Sequence, residues 1–208
     1  DGRDASRDVL DLAAHAETVA LVGPADNAEP RPLEVVSGNY FRALGVVPQH
    51  GRLLDEGDEV GELAHPVAVV SDQFWKTRLG QRADVVGQPL YLNGARFEIV
   101  GVTPADFPGT YASRHIDIWA PVSMQQSVRP RGLTLESRTW GWLSMIGRLK
   151  AGMTQADAER ELPRAADDIN TRFPPRGGDA PFAFITRPAS AMGDADAPAV
   201  LALALDER

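Results

Sequence analysis

Four histidines, His15, His50, His65 and His115, could serve as metal ligands or general bases. A zinc site built on one helix needs two of them one turn apart, as in H-E-x-x-H, and no pair stands at that spacing. A site gathered from distant segments stays open at this point. Ser37 lies in Val35-Val36-Ser37-Gly38-Asn39-Tyr40, at a predicted strand-to-helix turn, which is where a nucleophile sits in an elbow. Its neighbours do not spell G-x-S-x-G, and a serine there also caps the following helix. Asp157, Glu159, Glu161, Asp167 and Asp168 offer carboxylate pairs. Acid–base work needs two carboxyls in contrasting, partly buried settings, whereas these lie along a predicted solvent face. The sequence therefore assigns no catalytic, cofactor-binding or metal-ligating residue, and the chain does not read as an enzyme.

Charge and composition exclude further classes. The formal charge is −8 and no block of lysine or arginine occurs, which argues against a nucleic-acid surface and against a polybasic membrane patch. No G-x-x-x-x-G-K-[ST] or G-x-G-x-x-G is present, so ATP-driven work would draw on an ATPase elsewhere. The chain has no cysteine, hence no disulfide framework, thiolate nucleophile or zinc–thiolate site. The acidic run at 55–62, DEGDEVGE, lacks the alternating oxygens and final bidentate glutamate of a calcium loop and is expected to be a solvated loop. The longest apolar run, Ala197 to Leu205, contains Pro198 and is too short to span a bilayer. Residues 1–11 are charged and do not read as a secretory leader.

The aromatic residues Trp75, Trp119, Tyr40, Phe41 and Phe74 could line a ligand groove, but aromatics at helical or alternate spacing are more often core. Trp140 and Trp142 differ, because two tryptophans on one strand face form a large apolar surface, either core or docking patch. They are the candidate ligand or partner contact.

The elements that position these residues follow from periodicity and punctuation. Val67–Val70 is a buried strand, and Ser71 caps a helix carrying Phe74, Trp75, Arg78 and Leu79, stopped by Gly80. Leu90–Leu92 and Ala95–Val102 flank Asn93-Gly94, which accepts the positive φ of a type I′ hairpin. Upstream, Ser6 is expected to cap a short helix over Val9, Leu10 and Leu12, followed by a strand at 19–22, a loop at 23–32, a strand at 33–36 and a helix at 39–44 ended by Gly45. Downstream come a strand at 117–122, a mostly irregular connection at 123–138 and a strand at 140–149. A long helix follows, capped by Thr154 with Asp157 and kinked at Pro163. Phe182–Thr186 reads as a strand and Val200–Leu205 as one or two helical turns.

Five stretches together carry a family resemblance: VVSGNYFRALGVVPQHGRLL at 35–54, HPVAVVSDQFWKTRLG at 65–80, VVGQPLYLNGARFEIVGVTPADFPG at 85–109, DIWAPV at 117–122 and GRLKAGMTQADAERELPRAADDINTRFP at 147–174. In this order they resemble the MacB-like periplasmic core domain of FtsX-like ABC transporter permeases, closest to the long-loop, often duplicated bacterial permeases of unknown substrate. The resemblance implies an α+β fold of two subdomains: a porter-like βαβ-type subdomain from 1–50 plus 136–208, and a smaller α/β subdomain with the hairpin inserted at 51–135. It implies an extracytoplasmic domain of an inner-membrane permease, non-catalytic and without cofactors, that couples cytoplasmic ATP hydrolysis to periplasmic movement. The implied partners are flanking transmembrane helices of the same permease, a separate cytoplasmic ATPase domain or subunit, a second permease copy and a periplasmic partner protein. The alternative is a periplasmic module that binds a lipid, peptide or protein.

Overall fold

The computed structural model describes residues 8–110, 114–129, 143–172 and 174, and the backbone of 184–188 and 200–205. The fold is α+β. Packing divides the chain into two compact units, 15–136 and 1–14 with 137–208. Residues 15–50, grouped with the chain ends in the sequence reading, pack here with the middle of the chain.

The first strand, β1 (Leu10–Val22), gives its residues from His15 onward to the 15–136 unit. There it pairs antiparallel with β2 (Glu29–Val36), from His15↔Val36 to Val22↔Glu29. β2 runs parallel to β7 (Ile118–Pro121), β7 antiparallel to β4 (Val67–Val70), and β4 parallel to β6 (Ala95–Val102). β6 forms a hairpin with β5 (Pro89–Leu92), and β5 meets β1 again at Val22↔Leu92. The ladder thus closes on itself and leaves short edges only. Leu33, Val35, Ala68, Val69, Phe97, Ile99 and Ile118 are buried along it.

The local logic is mostly that of the sequence. The Ser71 hydroxyl accepts from the Phe74 N–H at 3.0 Å, opening a helix at Asp72–Arg78. Asn93 (φ 49°) and Gly94 (φ 84°) form the two-residue turn. α1 (Tyr40–Leu44) ends on Gly45 at φ 71°; the 72–78 helix is α2. The short strand β3 (His50–Gly51) lies against β6, and the approach is close. A Cβ on Gly101 would stand 1.9 Å from the Arg52 carbonyl oxygen.

Three expectations for this unit are corrected. The 23–32 loop shrinks, because β2 begins at Glu29 and includes Pro30 and Pro32. These prolines pair with Leu21 and Val19 of β1, upstream of the residues that pair with β7, so their missing N–H groups interrupt no second ladder. The acidic 55–62 run holds a 3-10 turn at Glu56–Glu59 with a reciprocal capping box between Asp55 and Asp58. After β7, Val122–Met124 forms a 3-10 turn and Gln125–Val128 a short helix, α3, so the described start of the 123–138 connection is ordered into turns of helix.

In the other unit the strand order is β1, β8 (Ser144–Leu149), β10 (Val200–Leu205), β9 (Phe184–Pro188). β10 is antiparallel to both β8 and β9. α4 (Gln155–Arg172) starts at Thr154, whose N–H donates to Asp157 Oδ2 at 2.8 Å while Asp157 N–H donates back to Thr154 Oγ1 at 3.2 Å. Its buried face is Ala158, Leu162, Ala165 and Ala166. Val9, Leu10, Leu12 and Leu149 complete that core with Ala158 and Leu162.

Two further corrections fall here. Residues 9–12 do not form a helix: Leu10 and Leu12 are strand residues, both buried, and the Lys150 N–H donates to the Val9 carbonyl at 3.0 Å. Pairing beside β8 outweighs a weak local helix preference. Val200–Leu205 is likewise a strand, paired on both sides, where six apolar residues suit an internal position.

Candidate functional site

The most concentrated polar chemistry lies around Glu34, in the middle of the apolar run Leu33-Glu34-Val35-Val36 of β2. The residue has no solvent exposure. A carboxylate buried without partners would cost several kcal/mol, so its surroundings must compensate. They do so from four elements. His15 Nδ1 on β1 lies 2.7 Å from Oε1, and because an ionised carboxylate only accepts, the proton sits on Nδ1. Thr110, after β6, donates to Oε1 at 2.7 Å. Tyr40, the first residue of α1, donates to Oε2 at 2.9 Å, as does Trp119 Nε1 of β7 at 2.9 Å. The Tyr40 and Thr110 hydroxyls also touch, at 2.7 Å.

The electrostatics follow from this cage. Burial pushes Glu34 up, but the hydrogen bond and charge of His15, with the Thr110 and Tyr40 hydroxyls, outweigh it and hold the carboxyl below its ordinary value. Tyr40 moves the other way: burial, then the Glu34 charge, raise its phenol well above the usual range. Around the cage the rings of Phe41, Phe107 and Trp119 pack at 5.4–5.9 Å between centroids.

This arrangement suits holding and not turnover. All the lone-pair directions of Glu34 are directed at protein donors. Ser37, the candidate nucleophile, is buried and donates to Asn39 Oδ1 at 2.8 Å, an amide oxygen that cannot act as a base. His50 stacks edge-on to Trp75 with centroids 4.6 Å apart. Among the described residues, no three His, Asp or Glu side chains gather as a metal site. Trp140 and Trp142 lie outside the described residues.

A second polar knot fixes the acidic run. Arg52 grips Asp58 with both terminal nitrogens, at 2.6 and 2.8 Å, and Glu59 accepts from the Gly38 N–H at 2.9 Å. Burial works to raise Asp58, yet the Arg52 and Asp55 N–H hydrogen bonds hold its carboxyl below the usual value.

Neither knot was named from the sequence. The sequence marks His15 without its partner, and Tyr40, expected in the core, is fully buried there. The available signal was a lone glutamate inside a strand otherwise made of leucine and valine.

The MacB-like periplasmic core domain family matches residues 2–165. The macrolide export ATP-binding/permease protein MacB of Shigella dysenteriae is 26% identical over 132 residues, covering 62% of this chain and 18% of that protein. MacB of Escherichia coli K12 gives the same identity and coverage. The chain thus spans less than a fifth of the length of these curated relatives. Among solved structures, the periplasmic region of MacB from Actinobacillus actinomycetemcomitans superposes with a TM-score of 0.55 at 15% identity, covering 79% of this chain and 67% of that one. The extracellular domain of the ABC-type transporter YknZ from Gram-positive bacteria does so with 0.54 at 12% identity, covering 77% and 74%. The chain belongs to the MacB-like periplasmic core domain family, the extracytoplasmic part of MacB-like ABC transporter permeases.

Proposed function

We propose that this domain is a mechanical coupling element of its permease, with no chemistry of its own. A cytoplasmic ATPase, as a separate domain or subunit, hydrolyses ATP. The flanking transmembrane helices carry the movement outward, and the extracytoplasmic domains of two permease copies shift against each other, driving efflux or the handling of a substrate or periplasmic partner. The carrying observation is the family match over 2–165. The Glu34 cage supports it, because a polar centre saturated by donors from β1, α1, β7 and Thr110 stiffens the unit instead of exposing reactive groups.

The test uses the full-length permease reconstituted with its ATPase and spin-labelled at Val86, which is exposed. The distance distribution between the two copies should shift between the nucleotide-free and ATP-trapped states. An unchanged distribution during ATP turnover would overturn the reading.

A second reading, capture of a lipid, peptide or protein ligand, draws on an exposed apolar face. Val19 and Leu21 of β1 stand opposite Pro32 and Pro30 of β2 and are 61% and 50% exposed. Trp140 and Trp142 are the other proposed contacts. A saturable tryptophan fluorescence change, lost in Trp142→Ala, would favour this reading and locate the contact.

A further inference from the structure

Asn93-Gly94 does more than turn a hairpin. The Asn93 side chain is held at both ends of its amide. Oδ1 accepts from the Leu21 N–H of β1 at 2.9 Å. Nδ2 donates to the carbonyls of Val128 at 2.8 Å and Ser127 at 3.4 Å, the last two residues of α3. The Asn93 N–H donates to the Leu21 carbonyl at 2.8 Å. One amide thus clips the β5–β6 turn to both β1 and α3.

Asparagine followed by glycine is also the dipeptide least hindered toward intramolecular attack, since glycine has no side chain to shield its amide nitrogen. At Gly94 nothing lies within 4 Å of where a Cβ would stand, so water and base reach this backbone. We propose that Asn93 is a latent deamidation site, that its side-chain contacts hold the reaction in check, and that its conversion releases α3 from the turn.

The step balances without an oxidant or cofactor. The Gly94 nitrogen loses its proton to base and forms a bond to Asn93 Cγ. The Cγ–Nδ2 bond breaks, the nitrogen takes up a proton and ammonia leaves. The succinimide adds one water and opens at either carbonyl, giving aspartate or isoaspartate. For the attack, Cγ must swing toward the backbone, which breaks the bonds to Leu21 and Val128. Aspartate replaces the donating amide with a carboxylate that faces the Ser127 and Val128 carbonyls with no proton to offer, and isoaspartate, whose main chain runs through Cγ, carries its carboxylate on Cα and likewise lacks the donating amide. Isoaspartate also inserts a methylene into a two-residue turn that has no room for one in register.

The test compares the intact chain, folded and urea-unfolded, in warm, mildly alkaline buffer. Mass spectrometry follows ammonia loss and isoaspartate in the peptide containing 93–94. The folded protein should convert more slowly by about thirtyfold or more, because reaction waits on local opening. Equal rates would show that the contacts do not protect the site, and overturn the proposal. The consequence is read separately in Asn93→Asp, or in wild-type protein deamidated while unfolded and then refolded. The Arg129 amide, which donates to the Gln125 carbonyl at 2.7 Å, should exchange with deuterium faster, while amides of β4 keep their protection. Unchanged exchange at Arg129 would overturn the release of α3.

Discussion

Glu17 and Glu34 stand directly opposite each other in the β1–β2 ladder. Like charges in that position repel, because facing residues bring their Cβ atoms to about 5 Å. The fold neutralises each separately. Glu34 receives the donors of its cage, and Glu17, partly buried, pairs with Arg114 at 2.6 Å. Two residues between β6 and β7, Thr110 and Arg114, therefore each serve one of the two carboxylates.

The cage makes a stability prediction. Glu34→Ala leaves the His15, Thr110, Tyr40 and Trp119 donors without their acceptor and should destabilise by about 3–5 kcal/mol, measured by urea unfolding at neutral pH. The pH dependence has a definite sign. The folded carboxyl titrates below its ordinary value, so its contribution is present above the unfolded value and is lost as pH falls through the folded one. The stability gap between wild type and Glu34→Gln should therefore narrow on acidification. A gap independent of pH would show that Glu34 acts by packing and not by charge.

The Glu17–Arg114 pair should behave differently. Arg114 is largely exposed, so Arg114→Ala alone should cost about 1 kcal/mol or less. In a Glu17→Gln background Arg114 has lost this charged partner and the same substitution should cost less. A double-mutant cycle with no coupling would mean that the Glu17–Arg114 contact contributes nothing to stability.

How far the sequence reached depends on the range of the interactions. Short-range rules placed the Asn93-Gly94 turn, the Ser71 cap, the Thr154–Asp157 box and Gly45, because each is settled within a few residues. Leu10, Leu12 and Val200–Leu205 carry a local helix pattern but form strands, because their pairing depends on β8, far along the chain. The Glu34 cage was missed for the same reason. Its donors come from positions 15, 40, 110 and 119, and only the closed ladder brings them to one carboxylate. The glutamate in Leu33-Glu34-Val35-Val36 was the visible clue, and its partners could not be read from spacing.

Asp117 offers a prediction of opposite sign. Burial raises its carboxyl above the ordinary value, only partly offset by the charges of Arg31 and His115. A raised carboxyl favours the folded state when protonated and opposes it when ionised, so the aspartate opposes folding at neutral pH. Asp117→Asn keeps the backbone bonds from Asp117 N–H to the Pro32 carbonyl and from Ser71 N–H to the Asp117 carbonyl. The variant should be as stable as wild type or more so at neutral pH, and the difference should shrink on acidification. Thermal melts at two pH values decide it, and a clear loss of stability at neutral pH would show that the Arg31 contact at 3.8 Å outweighs desolvation.

The last prediction concerns the approach of β3 to β6. Gly51 pairs with Gly101, and a Cβ at 101 would meet the Arg52 carbonyl oxygen at 1.9 Å, a backbone atom that no side-chain rotation can move. Gly101→Ala must push the 50–52 segment off β6. That movement breaks the Arg52 N–H bond to the Val100 carbonyl at 2.9 Å and drags Arg52 from its bidentate grip on Asp58. The expected loss is about 2–4 kcal/mol by urea unfolding, larger than an alanine normally causes in a strand. Arg52→Ala should recover little of it, because the clash is with the backbone. Hydrogen exchange should show amides at 52 and 58 losing protection together, whereas loss at 52 alone would mean that the acidic turn holds its shape without the clasp.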